Sequence, residues 1–117
     1  MEAAAGALAA MDRCTVLGRG FEYATAREWA LKLKELARVL ADPYSAADFQ
    51  HGPIALVEPG STVLMLAPSG RGAVDVEQLA PRLASYGADL LVVSDREDLQ
   101  ALGRHAVALP SGIPEWL

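Results

Sequence analysis

The chain has 117 residues, 52% of them hydrophobic, and a formal net charge of −5. Its length suits one domain of modest size, and its apolar fraction is enough for a core, which excludes a disordered chain. The acidic balance argues against a nucleic-acid binder, which needs a basic face, and no apolar run reaches membrane-spanning length.

The N-terminal "MEAAAGALAAMDR" is Ala-rich, but its front end is acidic. It reads as a helix and not as a signal peptide. A cytoplasmic location is therefore the default expectation. The single Cys14 excludes an internal disulfide framework, and no Cys/His spacing resembles a zinc site, so neither a metal nor another cofactor is expected. Cys14 also opens the first strand-like run, "CTVLG". The loop "GRGFEYA" follows it, with Gly18, Arg19 and Gly20 at its start. This is not the dinucleotide fingerprint, because Tyr23 stands where a third Gly is required.

The longest helix is expected from Glu22 to Leu40. At roughly 100° per residue, Glu28, Lys32 and Glu35 fall within an arc of about 60°. Trp29, Leu33, Leu36 and Leu40 form a neighbouring apolar arc, and Arg27, Lys34 and Arg38 a basic one. The plain reading of the acid–base stripe is two surface ion pairs, worth about 0.3–0.5 kcal/mol each. The functional reading rests on the stripe bordering the apolar face and on His51 a short way on. A His beside Gly-Pro on a turn is suited to proton transfer near neutral pH when carboxylates are in reach.

Three more apolar runs read as strands: "TVLMLA" from Thr62, "DLLVVS" from Asp89 and "HAVAL" from His105. None alternates, which suits strands buried on both faces of a parallel sheet. The loop "APSGRGA" follows the second run and offers Ser69, Gly70 and Arg71. The segment "VDVEQLAPRLASYGA" is a helix that Pro81 kinks or interrupts, with Gly87 as its stop. "REDLQALGR" is a short helix before the last strand. The alternation gives an α/β fold: a three-layer parallel sheet with helices on both faces. In such folds ligands sit at the C-terminal strand ends, where both glycine loops fall. Read as simple turns, those loops need no ligand.

The segments "GRG", "A-x-E-x-A-L-K-L-K-E" and "HGP-x-A-L" carry a resemblance. With the weaker "VLMLAPSG", "YGADLLVVSD" and "LP…PEWL", they resemble the second sugar-isomerase (SIS) lobe of glucosamine-6-phosphate synthase and related amino-sugar phosphate isomerases and deaminases. The likeness runs from Cys14 to the last residue. It implies a single flavodoxin-like SIS half-domain over residues 1–117, the C-terminal lobe of a longer two-lobe protein. It also implies a sugar phosphate as ligand, and another SIS lobe or subunit as partner, with a homodimer expected. By the same resemblance Glu35 is the proton-shuttling carboxylate, and His51 is the ring-opening histidine contributed across a dimer interface. Glu28 and Lys32 are supporting polar positions. Gly18, Arg19, Gly20, Ser69 and Gly70 are expected at the substrate.

Two departures, Trp29 for a Gly and Gln50 for a Lys, favour a relative over the synthase itself. The first lobe's Ser/Thr-rich phosphate loop has no counterpart, and the family's C-terminal Lys falls beyond Leu117. The chain alone is accordingly expected to be inactive. Trp116 and Leu117 end the sequence without an evident partner, and are expected either to continue into further chain, the lobe being truncated there, or to pack on a partner. The competing reading is a non-catalytic phosphosugar-binding or regulatory SIS module.

Overall fold

The apolar runs pair side by side as one parallel sheet in a computed structural model that describes residues 2–114. The strands are β1 (Arg13–Gly18), β2 (Leu40–Ser45), β3 (Thr62–Leu66), β4 (Asp89–Ser94) and β5 (His105–Ala108), in the spatial order β2-β1-β3-β4-β5. The helices are α1 (Glu2–Ala9), α2 (Phe21–Lys32), α3 (Ala46–Phe49), α4 (Ala73–Ser85) and α5 (Glu97–Gln100). The expected α/β class, with helices on both faces of a parallel sheet, is the one observed.

Because side chains alternate along a strand, each face has its own core. Cys14, Val16, Leu64, Leu66 and Leu91 meet Ala26 and Ala30 of α2 on one face. Leu17, Val63, Met65, Leu90 and Val92 meet α3, α4 and Leu99 of α5 on the other. The four expected strands are present, but β5 is an edge whose residues alternate between half-buried and exposed. Its continuous apolar run is not covered on both faces.

Three local expectations change. The helix from Phe21 keeps α geometry only to Lys32, then widens into one π turn over Leu33–Ala37. Arg38 ends it in the left-handed region at φ 58, and its N–H, like that of Val39, returns to the Leu33 carbonyl. The expected helix to Leu40 is therefore too long. Leu36 and Leu40, placed on its apolar arc, are 81% and 68% exposed.

The second change is β2, the edge strand that follows. It pairs in parallel with β1 from Arg13↔Leu40 to Gly18↔Ser45. The third is Pro81, which does not interrupt α4. Its ring is on the exposed side, and the lost hydrogen bond costs about 3 kcal/mol. Burial of Val76, Leu79 and Leu83, each worth about 1.5–3 kcal/mol, outweighs that. Gly87, at φ 78, stops the helix as expected. Trp116 and Leu117 lie outside the described residues. Among the described residues, no helix is long and apolar enough to cross a membrane.

Candidate functional site

The sheet turns its order between β1 and β3: β1 leads through α2 to β2 on one side, and β3 lies on the other. A crevice opens at such a switch point, outside the C-terminal strand ends. The glycines there are required by space and by backbone angle. A Cβ on Gly18 would lie 2.2 Å from the Glu22 carbonyl oxygen, so the first turn of α2 can settle on β1 only if residue 18 is Gly. Gly20 adopts φ 65, which a side chain resists. Across the crevice, a Cβ on Gly72 would meet Arg19 Cγ at 2.8 Å. The loops after β1 and β3 are thus packed on each other. Arg19 is spoken for as well: its Nε donates to Asp75 Oδ2 at 2.6 Å.

The second loop is tied to the end of β4. The Ser69 N–H and Oγ both donate to Asp95 Oδ1, at 2.7 and 3.1 Å. Asp95 is held in turn by its neighbours. The buried Ser94 Oγ donates to the Ala67 carbonyl at 2.7 Å and accepts from the Arg96 N–H at 3.0 Å. Gln100 Nε2 donates to the Ser94 carbonyl at 2.8 Å. Arg96 pairs with Glu77 and Asp98, and the guanidinium of Arg96 holds the Asp98 carboxyl below the usual range. Beside these groups, on the α2 side, lies a cleft of about 350 Å³. Its walls are mostly apolar, from Leu66, Val93 and Leu109 to Ile113, and its polar groups come from Glu22, Thr25, Ser69 and Asp95.

The expected acid–base stripe is real as geometry. Lys32 Nζ lies 3.1 Å from Glu35 Oε2 and 3.6 Å from Glu28 Oε1. The hydrogen bond to Glu35, then the charges of Glu35 and Glu28, hold the Lys32 ammonium above its ordinary pKa. All three side chains are half or more exposed, which within this chain is the geometry of surface ion pairs. Glu35 sits in the π turn. Glu28 also borders a shallow groove of about 590 Å³ between α2 and Pro43 of β2.

His51 is exposed and does not meet the stripe. It follows α3, with its N–H donating to the Asp48 carbonyl at 3.0 Å. Gln50 beside it donates to the Ala46 carbonyl and accepts from Arg82 at 3.2 Å. The helix that leads to Glu35 packs on one face of the sheet, and α3, which leads to His51, on the other.

Cys14 is buried, and burial, aided by the Asp42 charge, pushes its thiol up to about 11. It stays protonated at neutral pH and has no nucleophilic role. Asp95 and Asp75 are the site-edge residues that the sequence reading did not single out. Asp95 had one signal: it directly follows a strand, where parallel sheets place their ligands.

The SIS domain family model matches residues 7–114. The chain is 33% identical over 108 residues to the isomerizing glutamine–fructose-6-phosphate aminotransferase of Zymomonas mobilis, covering 92% of this chain and 18% of that protein. In structure it is similar to the C-terminal domain of the glucosamine-fructose-6-phosphate aminotransferase of Francisella tularensis. That match has a TM-score of 0.77 at 23% identity, over 91% of this chain and 30% of that one. It is also similar to the glucosamine-6-phosphate deaminase of Thermotoga maritima, with a TM-score of 0.65 at 32% identity, over 86% of this chain and 30% of that one.

Proposed function

The chain belongs to the SIS domain family, and from that premise we propose that it is the phosphosugar-binding lobe of an aldose–ketose isomerase, aminotransferase or deaminase. Its substrates are amino-sugar 6-phosphates of the glucosamine 6-phosphate and fructose 6-phosphate type. It serves as one lobe of a longer protein and is inactive alone. The observation that carries this reading is the ion-paired stripe of Glu28, Lys32 and Glu35, on the helix that leaves the Gly18–Gly20 turn at the switch point. The aminotransferase likeness over 92% of the chain supports it.

In this reading Glu35 moves a proton between C1 and C2 of the open-chain sugar. A carboxylate is an effective base for a carbon acid once it is desolvated, and a second lobe or subunit covering the half-exposed stripe supplies that. Lys32 remains an ammonium between Glu28 and Glu35 and fixes the orientation of the base. His51 opens the ring of a sugar bound mainly by another subunit, which the packing of α2 and α3 on opposite faces of the sheet supports. Gly18, Arg19, Gly20, Ser69 and Gly70 are candidate contacts at the strand ends, but Glu35 lies at the far end of the helix, roughly 20 Å away by helix rise, so within one chain a single small sugar does not meet both sets.

The second reading, a regulatory phosphosugar-binding module, leaves the stripe as surface ion pairs, to which its exposure within this chain corresponds. Glu35→Gln in the full-length protein separates the two. It is expected to lower turnover of fructose 6-phosphate or glucosamine 6-phosphate by at least roughly 10²-fold, the loss of a general base, at an unchanged melting temperature. Unchanged turnover, or activity that falls only in step with stability, returns Glu35 to a surface ion pair.

A further inference from the structure

We propose that Asp95 determines specificity by acting as the resident anion of the loop between β3 and α4, so that no phosphate is held there and the loop meets an uncharged part of the ligand. The identity of that ligand rests on the phosphosugar reading above; the exclusion of phosphate does not. A Ser-Gly loop that runs from a strand end into a helix is by its chemistry an anion cradle, because backbone N–H groups and a hydroxyl converge at the positive end of the helix dipole. In this chain the start of the loop is already engaged from within, at Ser69. The Ser69 N–H and Oγ both donate to one carboxylate oxygen, Asp95 Oδ1, at 2.7 and 3.1 Å.

The carboxylate is positioned in advance. The buried Ser94 hydroxyl bridges the Ala67 carbonyl and the Arg96 N–H, and Gln100 holds the Ser94 carbonyl. The backbone on both sides of Asp95 is therefore fixed before any ligand arrives. A phosphate entering the loop must break two charge-assisted hydrogen bonds and then stand beside the displaced carboxylate. The surroundings offer little in return. Among the described residues no lysine or arginine lines the adjoining cleft, and Arg71 of the loop itself and Glu22 of the cleft wall each already have a partner. Arg19, on the neighbouring loop, is already paired with Asp75. Sugar hydroxyls fit such a loop better, since a hydroxyl donates to the carboxylate without bringing the net negative charge of a phosphate.

The test is a titration of the 117-residue chain with inorganic phosphate, followed by the backbone amide NMR shifts of Ser69, Gly70 and Arg71. The unsubstituted chain is expected to give no saturable shift at these residues. Asp95→Ala, which frees the Ser69 N–H and Oγ, is expected to give one, with phosphate affinity raised at least roughly tenfold, as for one charge-assisted hydrogen bond regained. Glu97→Gln removes an equal charge close by without freeing Ser69, and is expected to gain nothing. Asp95→Asn, which removes the charge but keeps an acceptor for Ser69, replaces Asp95→Ala if the latter loses its dispersed spectrum, with a smaller gain expected. Saturable phosphate binding at Ser69 and Gly70 in the unsubstituted chain overturns the proposal. So does a folded Asp95 variant without a gain, or an equal gain in Glu97→Gln. No turnover enters this measurement, so it can fail while the Glu35→Gln test succeeds, and the reverse.

Discussion

The two faces of the sheet are covered by different means. On one, α2 meets the strands through Ala26 and Ala30, with Trp29 and Leu33 half-buried at its margin. On the other, Phe49, Val76, Leu79 and Leu83 interdigitate with Leu17, Met65, Leu90 and Val92, and the ring of Tyr44 leans on Phe49 at 5.4 Å between centroids. Bulky side chains bury more apolar area than alanines do, so the α3/α4 helices are expected to contribute more stability than α2 does. Alanines bring α2 close to the sheet and leave its long charged groups outside. The face that contributes least to the core is the one that carries Glu28, Lys32 and Glu35.

The sharpest way to break this contrast uses activity. In the full-length protein, Glu35→Gln and His51→Ala alter residues that follow helices on different faces, and each alone is expected to lose turnover by roughly 10²-fold or more. Mixed under verified subunit exchange, they are expected to regain a fraction of native activity, since some mixed dimers hold one intact shared site. No recovery would place both residues in a single chain's site.

Stability tests come next. Phe49→Ala on the bulky face is expected to cost about 3–5 kcal/mol in urea unfolding. A loss below about 1 kcal/mol would mean that this face is not the main store of stability. On the alanine face the sensitive change is an enlargement. Ala30→Leu is expected to cost about 1–3 kcal/mol, because the helix must lift from Val16 and Leu64 to admit it. A neutral Ala30→Leu would show slack under α2. The smallest effect belongs to the stripe: Lys32→Met is expected to leave the urea midpoint almost unchanged, and to change it less still at high salt. A larger, salt-independent loss would mean that the stripe is a structural network.

The central strands were legible because burial on both faces demands an unbroken apolar run, as in "TVLML" and "DLLVV". Strand β2 was not. As an edge it buries only Ala41 and Ser45, so Asp42 and Pro43 disguise it as a loop. The end of α2 was misread because Leu36 and Leu40 continue a helical spacing that Arg38 terminates by its backbone angle alone. The stripe of Glu28, Lys32 and Glu35 could be read from spacing, since its contacts are local. The links from Arg19 to Asp75 and from Ser69 to Asp95 join residues 56 and 26 positions apart, and only tertiary approach reveals them.

Pro43, in the middle of β2, has a consequence for self-assembly. An open sheet edge invites another chain to add a strand, and stacked copies growing from both edges would make a fibre. A proline has no N–H to give such a newcomer, so a strand laid along β2 meets a missing rung halfway. At the opposite edge, β5 is only four residues long and offers little to grip. The sheet is thus terminated at both ends against unlimited growth, which leaves association to the helical faces and loops.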